Sequence, residues 1–239
     1  MIYINHNHTL KQLRSLVSIK QQNLNYMSNE FNKEQYNAIE LLKQRVYLEE
    51  VVEECVKFNR ELNFDTGDNN LHIIRSAEEL VNIFKLRSEV YTQLGYQNEF
   101  PSIIDGLNFD IYDTSSAIIY YGTKKYASGS VRLIFDSKNK LPIEEKFSLN
   151  TLRDQHNLIG EFSRLVAHNK TKGLSLEFKY LMGGIYNIVI NNNVDIIMSA
   201  IKEEHFKLYS KFGREIILSR HLPICYIQCT CNPSQNNCN

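Results

Sequence analysis

From residue 71 onward, apolar side chains alternate between a two-residue period and a three-to-four-residue period, which confines the chain to a sheet flanked by helices. Leu71–Arg75 is a short strand candidate. Ser76 follows with Glu79 three residues on, the pattern of a capping box, and Leu80, Phe84, Tyr91 and Leu94 then mark one helical face as far as Gly95. Strand candidates Ala117–Tyr121 and Ser130–Phe135, joined by the polar turn Gly122–Lys125, suggest an antiparallel hairpin. Asp136–Asn157 reads as irregular or weakly helical. Leu158–His168 is another strand, and Leu174, Phe178, Leu181, Ile185 and Ile188 mark a helix after it. Asp195–Ile201 gives a strand, Lys202–Phe212 a helix closed by Gly213, and Glu215–Ser219 the last clear strand. The order is β-α-β-β-β-α-β-α-β.

The first 70 residues differ. Between Phe31 and Leu62 there is neither Gly nor Pro, and Ile39, Leu42, Val46, Val52, Cys55 and Val56 recur at helical intervals amid charge, which predicts one long amphipathic helix. Lys11–Gln22 offers a shorter helix, and the polar run Asn63–Asn70 ends the helical region. The expected organisation is therefore a helical extension over 1–70, a mixed α/β (α+β) domain over 71–222 and a Cys-containing tail over 223–239. The extension either packs on the domain or mediates a homodimer.

Composition excludes several classes. Of 239 residues, 27 are Lys or Arg and 27 Asp or Glu, so no net charge favours nucleic acid or an anionic membrane. Ten glycines and four prolines are too few for a disordered or linker-rich chain. No run of eighteen apolar residues is present, and the N-terminus lacks the basic-then-apolar order of a signal peptide, so the expectation is a cytoplasmic protein without an integral membrane segment. The five cysteines are an odd total, and Cys225, Cys229, Cys231 and Cys238 do not have the paired spacing of a zinc site; a loose terminus is the expectation, with no metal.

Four short constellations stand on these elements: Arg87 with Tyr91 one helical turn later, Asp110-Ile-Tyr-Asp113, Gly129-Ser-Val-Arg132-Leu133, and Glu161-Phe-Ser163-Arg164. On a regular strand Glu161 and Ser163 face one way and Phe162 and Arg164 the other, so all can address one pocket only if the strand bulges. Arg87 lies on an otherwise apolar face, where a guanidinium needs a carboxylate partner or an anionic substrate. Asp110 and Asp113 bond their own turn backbone, receive a substrate ammonium group, or orient Arg132 and Arg164 across a cleft. Glu161 and Arg164 alternatively belong to a structural ion-pair network.

The order of elements resembles the GNAT acyltransferase fold, with a central, mostly antiparallel twisted sheet. The four constellations, in this order, resemble acyl-homoserine-lactone synthases and the related N-acyl amino acid synthases over about residues 71–220. The resemblance implies transfer of a fatty acyl group from an acyl-carrier-protein phosphopantetheine or acyl-CoA thioester to the amine of a small amino-acid-like acceptor. Such an acceptor is mostly protonated at neutral pH and must lose a proton to attack, which makes Glu161 the candidate base. Arg87, Asp110, Asp113, Arg132, Ser163 and Arg164 are then candidates to shape the acceptor end. Lys170-Thr-Lys-Gly173-Leu-Ser175 is a degenerate form of the family's phosphate-binding loop, with Lys170, Gly173 and Ser175 facing the donor. Tyr209, on the last helix, is a candidate proton donor to the departing thiolate, or else a core tyrosine. Gly183-Gly184, in the middle of a helix, marks either close packing on the sheet or a gap for a lipid chain. Two other readings stay open: a short-chain acetyl-CoA-dependent N-acetyltransferase, and a non-catalytic sensor that binds a lipid or a carrier protein.

Overall fold

The computed structural model describes residues 32–102, 104, 106–168, 176–202, 215–218 and 224–230. The chain divides into two compact units, Met1–Glu50 and Val51–Asn239. A helix, α1, runs over Lys33–Glu61, as its freedom from Gly and Pro predicts. In the first unit Asn32 and Gln35 cap its start reciprocally: Asn32 Oδ1 accepts from Gln35 N at 2.9 Å, and Asn32 N donates to Gln35 Oε1 at 3.0 Å.

In the second unit the last turns of α1 bury Val51, Cys55, Val56 and Asn59. The division therefore falls before these turns, twenty residues ahead of the change in sequence character near residue 70. Asn59 is fully buried and continues the hydrogen-bond ladder of a strand with its side chain: Nδ2 donates to Ser116 O at 2.7 Å, and Oδ1 accepts from Ile118 N at 2.9 Å.

The strands are β1 Leu71–Ile73, β2 Ser116–Thr123, β3 Tyr126–Phe135, β4 Ile159–Ala167, β5 Ile196–Met198, β6 Ala200–Lys202, β7 Glu215–Leu218 and β8 Ile224–Thr230. They follow the order β1-β2-β3-β4-β5-β8-β6, with β7 also paired to β8. Among the described strands only β4 and β5 pair in parallel. Helices α2, Ala77–Gln93, and α4, Leu176–Asn191, flank the sheet, and α3, Asn150–Arg153, is a single turn. The expected order is present from β1 through α4 to β5, as is the antiparallel hairpin of β2 and β3. Helix α2 starts on the expected capping box, in which Ser76 Oγ accepts from Glu79 N and Glu79 Oε2 from Ser76 N.

Three expectations are corrected. The strand expected over Asp195–Ile201 is broken at Ser199, whose hydroxyl donates to Phe162 O at 3.0 Å. Ile224–Thr230, expected to be loose tail, is a strand seated between β5 and β6. Lys202 ends a strand instead of starting a helix. The rest of that expected helix, like Lys11–Gln22, lies outside the described residues.

One sheet face is apolar. Leu71, Ile73, Ala117, Ile119, Val131, Leu133, Phe135 and Phe162 form a core with Leu181, Ile185, Ile188 and Val189 of α4, and Phe58 of α1 and Leu62 just after it pack against it. Side chains buried in this way contribute roughly 1.5–3 kcal/mol each. Of the two expectations for Gly183-Gly184, close packing holds at Gly184: a β-carbon there would meet Ile119 and Leu71 side-chain atoms at 3.2 Å, while one at Gly183 would meet nothing within 4 Å. The other face carries Arg132, Glu161 and Ser163, with α2 across it. A second apolar cluster, of Ile134, Leu141, Ile143, Leu149, Ile159, Ile196 and Met198, fills the space beside Glu161.

Candidate functional site

Asp110 and Asp113 start from turn chemistry. Asp110 caps the 3-10 helix Ile111–Ser115 by accepting from Tyr112 N at 3.0 Å, and Asp113 Oδ2 accepts from Asp110 N at 2.9 Å. The reciprocal cap leaves oxygens of both carboxylates aimed at the sheet. Arg132 Nη1 donates to Asp110 Oδ1 at 2.6 Å and to Asp113 Oδ1 at 3.0 Å, and Arg132 Nε donates to Ser163 Oγ at 3.0 Å. Arg87, from α2, donates to Asp113 Oδ1 at 2.9 Å. Two of the sequence alternatives for the aspartates are thus realised together, since each one caps its own turn and binds an arginine.

Arg164 joins through the strand irregularity that the sequence required. Ser130 is opposite Val166 and Arg132 opposite Ser163, so three steps on β4 span two on β3. Arg164 takes the extra position with φ of +52° and brings Nη2 to Asp110 Oδ2 at 2.8 Å. Its guanidinium lies 4.5 Å from the Phe100 ring and 5.7 Å from Tyr91, whose rings are themselves 4.9 Å apart. Phe100 was missed by sequence reasoning: it follows a polar loop without periodicity, and only the fold returns it to β4.

Three guanidinium groups therefore meet two carboxylates. Burial alone would raise the Asp110 carboxyl, but Arg132 and Arg164 outweigh it and hold Asp110 well below the usual carboxylate range. Burial would likewise make Arg132 easier to deprotonate, and Asp110 and Asp113 reverse that, keeping it charged. One positive charge remains uncompensated within the cluster. Nη1 of Arg164 is buried with no partner among the described residues.

Glu161 lies across β3 from Ile134, beside this cluster, and is 4% exposed. Its Oε2 accepts from Ile143 N at 2.9 Å. Burial pushes its carboxyl up to about 7, against the lowering influence of the Ile143 N–H and of Arg132. A carboxyl at that value exchanges protons near neutral pH. Glu161 also marks the last paired position of β4 and β5, opposite Met198. Beyond it β4 runs on to Ala167 without a β5 partner among the described strands, and the Phe162 carbonyl accepts from the Ser199 hydroxyl instead of from a strand.

Arg87 and Asp113 are both 0% exposed and pair with each other, so of the two alternatives for Arg87 carboxylate pairing is present. Asp113 and Ser163 both hold Arg132, and Asp113 also holds the turn that carries Asp110. Lys170, Gly173, Ser175 and Tyr209 lie outside the described residues.

A profile for the N-acyl amino acid synthase FeeM family matches residues 82–221 of the chain. No curated protein matches it. Among solved structures, FeeM itself, an N-acyl amino acid synthase from uncultured soil microbes, superimposes with a TM-score of 0.53 at 15% identity, covering 67% of this chain and 89% of that one. The acyl-homoserine-lactone synthase LasI gives 0.50 at 17% identity over 67% and 88% of the two chains. BjaI, a CoA-dependent acyl-homoserine-lactone synthase seen with SAM and isopentyl-CoA, gives 0.52 at 13% over 66% and 81%. At these identities the superpositions establish the GNAT-like fold.

Proposed function

Since the chain belongs to the FeeM N-acyl amino acid synthase family and is thereby an N-acyltransferase, we propose that it joins a fatty acyl group to the amine of an amino acid, taking the acyl group from a CoA or carrier-protein thioester. The observation that carries this reading is Glu161, a buried carboxyl that titrates near neutrality where β4 and β5 part. A thioester arm that enters where β4 and β5 part would bring its carbonyl beside that carboxyl. Glu161 takes a proton from the acceptor ammonium, directly or through water. The neutral nitrogen adds to the thioester carbonyl, the C–N bond forms as the C–S bond breaks, the nitrogen releases its second proton to water, and the thiolate leaves. Lys170, Gly173 and Ser175 receive the donor phosphate, and Tyr209 protonates the thiolate.

The acceptor's chemistry follows from the charge imbalance. Arg164 presents a buried, unpartnered Nη1 between Asp110 and two aromatic rings. A carboxylate satisfies that donor and neutralises the excess charge. Asp110 lies within reach of the same acceptor's ammonium. An α-amino acid carries both groups on one carbon, which favours it over a simple amine. BjaI, whose structure holds SAM and isopentyl-CoA, supports a second acceptor: SAM also bears an α-amino carboxylate and fits the same polar groups.

The test is purified protein incubated with acetyl-, medium-chain and long-chain thioesters of CoA and of a carrier protein, each with the proteinogenic amino acids and SAM, with products identified by mass spectrometry. N-acyl amino acids from the longer donors are expected. Acetylation alone supports a short-chain enzyme, homoserine lactones support SAM, and binding without turnover supports a sensor. Each of those outcomes overturns the proposal.

A further inference from the structure

The segment between β3 and β4 is gathered on one side chain. Arg153, the last residue of α3, donates from Nε and Nη2 to Asp136 Oδ2 and Oδ1 at 2.7 and 2.8 Å. The same guanidinium donates from Nη1 and Nη2 to Glu144 Oε1 and Oε2 at 2.8 and 2.5 Å. Asp136 directly follows β3, and Glu144 belongs to the 3-10 turn Pro142–Glu145. Three points far apart along 136–157 thus converge on one fork-shaped cation, a geometry that lysine cannot reproduce. Arg153 is 29% exposed, so the clamp sits at the rim of the domain and contributes little to its core.

Glu144 transmits this inward. Its Oε2 also accepts from Leu141 N at 3.0 Å, which closes the turn around Ile143. The Ile143 N–H is the donor to Glu161 Oε2. We propose that Arg153 is a positioning residue for acyl transfer, holding the turn Pro142–Glu145 so that the Ile143 N–H fixes the Glu161 carboxyl in its reactive orientation. The proposal rests on the reading of Glu161 as the base. Arg153 touches neither substrate nor Glu161; it acts through the backbone of the turn.

The charged and titratable groups facing Glu161 are Arg132 on β3, Asp110 and Tyr112 at the 3-10 helix Ile111–Ser115, and Glu145 on the turn itself. β5 offers it Met198. Arg153 and Glu144 connect to Glu161 through the backbone of the turn, by way of the Leu141 and Ile143 N–H groups. A hydrogen bond from Ile143 favours the ionised carboxyl, and its loss moves the titration upward.

The test is carbon-13 NMR of protein labelled at the glutamate side-chain carboxyl, with the Glu161 resonance assigned by its disappearance in Glu161→Gln. In the wild-type chain this resonance is expected to titrate near pH 7. In Arg153→Gln its midpoint is expected to rise by about one pH unit, and in Arg153→Lys by less. Glu144→Gln separates position from charge: removing a negative charge lowers a neighbouring carboxyl through space, whereas releasing the turn raises it. A rise in Glu144→Gln supports the proposal; an unmoved or lowered midpoint in that folded variant overturns it. Failure of both variants to fold also overturns it, in favour of a purely structural clamp. The base reading is judged separately, by whether Glu161→Gln abolishes acyl transfer with Arg153 intact.

Discussion

Replacing Glu161 by Gln should abolish acyl transfer and at the same time stabilise the protein in a pH-dependent way. In the unfolded chain the carboxyl titrates at its ordinary value of 4.5, and in the fold near 7. Between these values the folded protein holds a proton that the unfolded chain has released, so wild-type stability falls as pH rises through this window. The group costs nothing below about pH 4.5 and its full amount above about pH 7. A gap of two to three pH units at about 1.4 kcal/mol each gives about 3 kcal/mol, a substantial part of the roughly 5–15 kcal/mol that stabilises a domain. Gln keeps an acceptor for the Ile143 N–H at nearly the same volume and cannot ionise. Urea unfolding of both proteins from pH 4.5 to pH 8 should therefore give curves that nearly coincide at the acid end and separate by about 3 kcal/mol at pH 8, with Gln the more stable. A separation that is constant with pH would refute the reasoning, since the burial penalty on this carboxyl would then be absent.

Arg164→Ala should raise the acceptor KM about 10- to 100-fold while leaving the donor KM unchanged, and the wild-type enzyme should discriminate by a similar factor against the amino acid amide, because the unpartnered Nη1 then has no carboxylate to bind. Steady-state kinetics with both acceptors checks this. Asn59→Ala should cost about 2–4 kcal/mol in denaturant unfolding by leaving the buried Ser116 carbonyl and Ile118 N–H unpaired. Gly183→Ala should add about 0.5–1 kcal/mol, since the new methyl meets open space on a helix; Gly184→Ala should fail to gain this, pressed against Ile119 and Leu71. Gly122→Ala should destabilise, because φ is +132° and the methyl collides with the Tyr126 carbonyl oxygen. Thermal unfolding of the three variants orders them.

What the sequence determined was local and periodic. The alternation of apolar residues placed the helices and strands, Ser76 and Glu79 predicted the start of α2, and a glycine-free stretch predicted α1. It also posed a usable condition: Glu161, Ser163 and Arg164 could share a site only across a bulge, and β4 carries that bulge at Arg164. Only the tertiary structure decided which charges pair. Arg87 pairs with Asp113 out of reach of solvent while Arg164 reaches Asp110 beside two aromatic rings, a division that residue type does not encode. Burial also lifts Glu161 into the neutral range, Asn59 extends a ladder with its side chain, and Phe100 comes to lie against Arg164. Ile224–Thr230 pairs with the adjacent β7 and also inserts between β5 and β6, a placement that only the strand order of the fold sets. The physical reason is common to these cases: periodicity reports which face of an element is apolar, whereas desolvation, ion pairing and strand order depend on what the opposite face meets.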